Sequence, residues 1–213
     1  MPNYNGVWSL STQYQYATDW PSPPQIALFM GGGVNDSSVP VQDVVQKINI
    51  TTAGNTTDFG NLSAAKSSGA GAASATRALY GGGFTTNGGS NSLDVIEFFT
   101  IASAGNATDF GDLSAARNSF DACSNSTRAV FGGGVASGSS TKLNIMEYVT
   151  IASAGDVTDF GDLTVARDLL AGNIASATRG VFAGGENNSD VIDYITIGSA
   201  GNATDFGNLT VAR

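Results

Sequence analysis

An all-β fold, assembled from about four copies of one four-stranded unit, is expected from three features of this 213-residue chain. A segment of about 50 residues recurs along it, the length of one β-propeller blade. Within each copy, runs rich in β-branched and aromatic residues alternate with clusters of Gly, Ser, Asn and Asp, the pattern of strands separated by turns. Finally, 41% hydrophobic residues, only 13% charged residues and 28 glycines describe a folded, turn-rich chain. Disordered chains are poorer in apolar groups and richer in charge.

Residues 1–25 stand outside the repeat and hold both tryptophans, three tyrosines and four of the five prolines. Pro21, Pro23 and Pro24 lack backbone donors and favour an extended arm. On that arm Trp8, Tyr14, Tyr16 and Trp20 are the candidate anchor residues, because aromatic side chains so placed dock on a core or on a partner. The opening residues show neither the basic leader nor the apolar stretch of a secretion signal. No apolar run reaches the length of a membrane span, so membrane insertion is not expected.

From Ile26 the repeat divides into units 26–66, 67–117, 118–167 and 168–213. Its fixed points are glycine triplets beginning at Gly31, Gly81 and Gly132, with Ala183-Gly184-Gly185 in the fourth copy, and a Thr-Asp-Phe-Gly element centred on Phe59, Phe110, Phe160 and Phe206. Each phenylalanine is followed by Leu62, Leu113, Leu163 or Leu209, then by Lys66, Arg117, Arg167 or Arg213. In the third copy SFDACSNS reads as a small-residue first strand, TRAVFGGG as an apolar second strand and LNIMEYVTI as a third. A Gly/Ser-rich loop over 135–141 separates the second strand from the third. After the Ala-Ser-Ala-Gly turn, TDFGDL supplies a short fourth strand. Arg128 with Glu147, and Arg179 with Asp193, are expected to pair within a unit. The first unit starts at its second strand, so the ring is expected to be incomplete, or closed by additional strands. Those strands would come from a longer chain, from another copy, or, as a third choice, from residues 1–25.

Several chemistries are disfavoured by composition. Nine Lys+Arg against 18 Asp+Glu give a net charge of −9, and the basic residues are scattered instead of forming the stripe that grips phosphate backbones. Nucleic acid is therefore not an expected partner. There is no histidine and a single cysteine, Cys123, so an internal disulfide and histidine-based catalysis or metal binding are excluded. Cys123 reads as a small buried hydrophobe. The glycine triplets follow strands and lack the Gly-Lys-Ser/Thr of a phosphate loop. Asp109 with Asp112, and Asp159 with Asp162, offer too few oxygens for calcium and read as turn formers. The same acids in successive copies argue for structure, because a pair of hydrolytic carboxylates needs asymmetry. No cofactor, metal or catalytic residue is expected.

The order of Arg117, Phe131, Gly132-Gly133, Glu147-Tyr148, Phe160, Leu163 and Arg167 resembles a kelch repeat. The same order fits Gly82, Glu97, Phe98, Phe110 and Arg117, and again Gly184, Asp193, Tyr194, Phe206 and Arg213, so the resemblance covers residues 26–213. It departs from the family in carrying phenylalanine where tryptophan is usual, and in a longer gap between Tyr148 and Phe160. The resemblance implies a kelch-like β-propeller of four-stranded blades, in families that use five to seven. The opening GVWSLSTQYQYATDWPSP is similar to short leaders on structural proteins of tailed phages, particularly marine ones.

Together these readings lead to an expected non-enzymatic virion appendage or decoration protein. It would be held by residues 1–25 to other virion structural proteins and would display variable loops to a host-surface glycan, as a homo-oligomer. The alternative expectation is an intracellular kelch-like protein-interaction module.

Overall fold

The computed structural model describes residues 25–33, 41–85, 91–186 and 189–212, and among them every regular element is a β-strand. The first unit contributes β1 (Ile26–Met30), β2 (Val44–Asn49) and β3 (Thr57–Asn61), hydrogen-bonded in that order. The second contributes β4 (Ala70–Ala73), β5 (Arg77–Gly81), β6 (Val95–Thr100) and β7 (Thr108–Asp112). Two-residue strands β8 (Arg117–Asn118) and β11 (Val135–Ala136) pair with each other. Around them β9 (Asp121–Ser124), β10 (Arg128–Gly132), β12 (Ile145–Thr150) and β13 (Thr158–Asp162) make the third main sheet. The fourth is β14 (Ala171–Ala175), β15 (Arg179–Ala183), β16 (Val191–Thr196) and β17 (Thr204–Asn208). All pairings are antiparallel; the four main sheets are meanders, the first with three strands among the described residues and the other three with four.

The small-residue stretches form the first strands because these strands approach one another across sheets. Ser124 Oγ donates to the Ala73 carbonyl at 2.9 Å, and the Gly172 amide donates to Asp121 Oδ2 at 2.6 Å. A Cβ added at Gly172 would lie 2.9 Å from the Ala122 carbonyl oxygen, so a side chain there would force the strands apart.

The Thr-Asp-Phe-Gly element is a β-bulge. In the second sheet Ile96 faces Gly111 while the next residue, Glu97, faces Asp109, leaving Phe110 as the extra residue. The same shift occurs between Val45 and Gln46, Met146 and Glu147, and Ile192 and Asp193. Gly111 has φ of 144° and Gly161 131°, a backbone conformation that L side chains rarely adopt. This bend re-aims the phenylalanine, so that Phe59, Phe110 and Phe160 are buried in the cores between sheets. Phe59 meets Phe99 of the next sheet edge-to-face at 6.0 Å. Phe110 packs with Val149 and Ile151, and Phe160 with Ile195 and Ile197.

Each bulged strand also docks the following sheet through its backbone. The Gly105 amide donates to the Phe59 carbonyl at 2.8 Å, that of Gly155 to Phe110 at 2.6 Å, and that of Gly201 to Phe160 at 2.6 Å. Two residues on, Ala107, Val157 and Ala203 donate to Asn61, Asp112 and Asp162 in the same way. The side chains of Asn106, Asp156 and Asn202 accept the amides of those three residues at 3.1 Å each. These bonds satisfy backbone groups that a bare sheet edge would expose.

Acid-base pairing differs from the expectation of pairs inside one unit. Glu147 binds Arg117 at 2.8 Å, Asp193 binds Arg167 at 2.7 Å and Glu97 binds Lys66 at 2.5 Å, so each acid takes the cation that closes the preceding unit. All six side chains are buried. Each acid also accepts a backbone amide of the preceding unit, from Ser63, Ser114 or Thr164. Arg128 instead stacks on Tyr148, 4.0 Å from its ring centre, and donates to the Ile197 carbonyl of the next sheet at 3.0 Å. Arg77 does the same with Phe98 and Ile151, while Arg179 stacks on Tyr194 at 4.4 Å. The register explains the exchange: Arg128 lies opposite Thr150, three positions from Glu147.

Candidate functional site

Three repeated structural devices meet at one end of the sheets. The strand-two glycines turn the chain out of each sheet, with φ of 58° and 91° at Gly82 and Gly83, and 74° and 102° at Gly133 and Gly134. The loops that follow lie against the links between units, through Phe84 with Ser67 and Val135 with Asn118. In those links Ser68, Ser119 and Leu169 adopt left-handed φ of 51–57°, a strained choice for residues other than glycine. They form a ladder: the Ser119 amide donates to the Ser68 carbonyl and the Leu169 amide to the Ser119 carbonyl, each at 2.8 Å.

On this frame the third unit's loop and its neighbours line a shallow depression formed by Phe84, Asn118, Ser119, Val135, Ser139, Ser140, Lys142, Asp168 and Glu186. Lys142 bridges Asp168 at 3.0 Å and Glu186 at 2.6 Å, and its hydrogen bond to Glu186 raises its pKa above the ordinary 10.5. The Asn118 side-chain amide donates to Ser92 Oγ at 2.7 Å, and Ser119 Oγ donates to Asn118 Oδ1 at 2.7 Å. The result is a set of short hydroxyl, amide and charged groups around a half-buried aromatic. Such a surface suits hydrogen bonding to a hydroxyl-rich ligand.

None of the repeated acids gathers into a site. Asp159 accepts the amide of Gly161 at 3.2 Å as a local turn former. Asp112 is exposed, and partial desolvation followed by repulsion from Asp94, Asp156 and Asp109 raises its carboxyl pKa. Among the described residues no group of three or more Cys, Asp or Glu could hold a metal ion, and no helix is long and apolar enough to cross a membrane. The candidate anchors Trp8, Tyr14, Tyr16 and Trp20 lie outside the described residues.

Cys123 is fully buried on β9, and a Cβ at Gly180 would lie 2.3 Å from its sulfur. Burial first, then the Asp121 carboxylate, pushes its thiol from 9.0 up to about 12. A raised pKa stabilises the fold below the unfolded value and loses that contribution as pH climbs through the folded one. Stability is therefore expected to fall between pH 9 and 12, with a shallower fall in Cys123→Ala, as read from urea midpoints. A native thiol that reacts with a disulfide reagent at pH 8 as fast as the unfolded chain would contradict this.

Sequence reading located the glycines and the variable loop but passed over Lys142, Asp168 and Glu186. Their signal was difference between copies: Lys142 replaces the Ser92 of the second unit, Asp168 replaces Ser67 and Glu186 replaces Phe84. The chain matches no family model, and no curated protein matches it.

Proposed function

We propose that the four sheets are blades of an open, kelch-like β-propeller, and that the protein is a non-enzymatic virion appendage whose loop rim attaches to a host-surface carbohydrate. The observation that carries the reading is the separation of repeated from unrepeated groups. The repeated acids Glu97, Glu147 and Asp193 are committed to cations of the preceding unit, whereas groups that differ between copies, Lys142, Asp168 and Glu186, sit together at one rim. Adjacent first strands β4, β9 and β14 support the propeller geometry, because small-residue strands that crowd together are what a central axis requires. Residues 1–25, with their Trp and Tyr anchors and phage-leader resemblance, are the attachment arm in this reading.

The test has two arms. The full chain on an array of bacterial surface polysaccharides is expected to retain at least one, with affinity lowered about tenfold by Lys142→Ala through loss of one charged hydrogen bond. Purified native particles are expected to contain the chain. Silence across the array would sink the carbohydrate part, and absence from particles the appendage part.

A further inference from the structure

The two ends of the stack of sheets are the separated halves of a joint that the chain makes three times inside itself. At the last sheet Phe206 is 55% exposed, whereas its counterparts Phe59, Phe110 and Phe160 are each 2% exposed beneath the following sheet. At the first sheet Ile50 is 62% exposed, whereas Ile151 and Ile197, at the same place in later sheets, are 1% and 0% exposed against the preceding one. Phe29 is likewise exposed where Phe131 and Phe182 are buried.

The polar groups match as well. In the internal joints Gly105, Asn106 and Ala107 bind the edge of β3, and the second and third repetitions use the corresponding residues. The first unit carries the same loop as Gly54-Asn55-Thr56, and its Thr56 is exposed where Ala107, Val157 and Ala203 are half-buried against the preceding sheet. At the other end Gly207 has the bulge conformation, φ 136°, but nothing within 4 Å, where Gly60, Gly111 and Gly161 abut the next sheet's loop. Arg179 is exposed, while Arg77 and Arg128 reach across to the carbonyls of Ile151 and Ile197. The counterpart of those isoleucines in the first sheet is Ile50.

We infer that β17, with Phe206 and Arg179, is a docking edge for the loop 50–56 of a second copy of this chain, giving head-to-tail association. The occupant is a second copy because this repeat's own loop is seen to fit the equivalent edge three times, and because Ile50 and Phe206, its two apolar components, are both exposed. A heterologous contact of this kind propagates until it closes. It lacks one internal component: Gln46 stands where Glu97, Glu147 and Asp193 supply the buried carboxylate. The joint between copies is accordingly weaker than the internal ones and depends on concentration. This inference is independent of the attachment role above.

Sedimentation velocity of the full chain over a hundredfold concentration range tests it. The wild type is expected to rise above the 21.6 kDa of one chain. Ile50→Asp and Phe206→Asp, both at exposed positions, are each expected to stay at single-chain mass while unfolding cooperatively like the wild type. Mixed together they are expected to form a two-chain species and nothing larger, since each brings one intact half. Should either aspartate variant fail to fold, Asn55→Ala serves instead, with association weakened about tenfold by the lost hydrogen bond. A wild type that remains one chain throughout, variants that assemble like the wild type, or a mixture that stays monomeric would each overturn the inference.

Discussion

Replacing Glu147 by alanine is expected to lower folding stability by about 3–5 kcal/mol, because it strands a buried charge. The Arg117 guanidinium is fully buried, and its Nε and Nη1 have no hydrogen-bond partner, so Glu147 is its principal compensation. Burial already draws the Arg117 pKa down to about 10 against the opposing pull of Glu147. Asp193→Ala is expected to cost less, since Arg167 also donates to the carbonyls of Val191 and Phe182. Glu186→Ala, at an exposed pair, is expected to change stability by less than about 1 kcal/mol. Urea denaturation of the three variants gives the order. Equal losses for Glu147 and Glu186 would refute the claim that these inter-sheet pairs differ from surface ones. The double replacement Arg117→Met with Glu147→Leu should recover most of the loss, as buried pairs often tolerate an apolar substitute.

The second large effect is expected at Gly111. An alanine there must adopt φ of 144°, a strain of about 1–3 kcal/mol. Its Cβ would also lie 2.4 Å from the Gly155 carbonyl oxygen, backbone that can move only if two sheets separate. Overpacking of that kind adds about 1–3 kcal/mol. Gly207→Ala has nearly the same φ, 136°, and open space around it, so it isolates the strain. In dilute protein the thermal midpoint is expected to fall further for Gly111→Ala than for Gly207→Ala. Identical shifts would mean that the sheet contact contributes nothing.

These two sites show how unevenly the fold could be read in advance. The strands themselves were legible, since TRAVFGGG became β10 and LNIMEYVTI became β12 at the places their β-branched and aromatic residues indicated. The partner of Glu147 was not legible, because a one-dimensional pattern favours the nearer Arg128 over Arg117 and says nothing about which sheet each faces. Register decided it: Arg128 lies opposite Thr150 and projects over Tyr148, while Arg117 enters from the end of the preceding unit. For the candidate rim, repetition drew notice to the shared residues, whereas the cluster is made of the unshared ones, Lys142, Asp168 and Glu186.

Local chemistry was enough to establish an all-β chain of repeated units, with glycines at forced turns, because those properties depend on neighbours within a few residues. Tertiary structure alone decided that Thr-Asp-Phe-Gly is a bulge aiming each phenylalanine into the next sheet, that every buried acid takes its cation from the unit before, and that Phe206 and Ile50 are left uncovered at opposite ends. The reason is physical: burial, charge pairing and edge satisfaction are properties of two surfaces in contact. A repeat shows one surface many times and reveals its complement only when the copies are stacked.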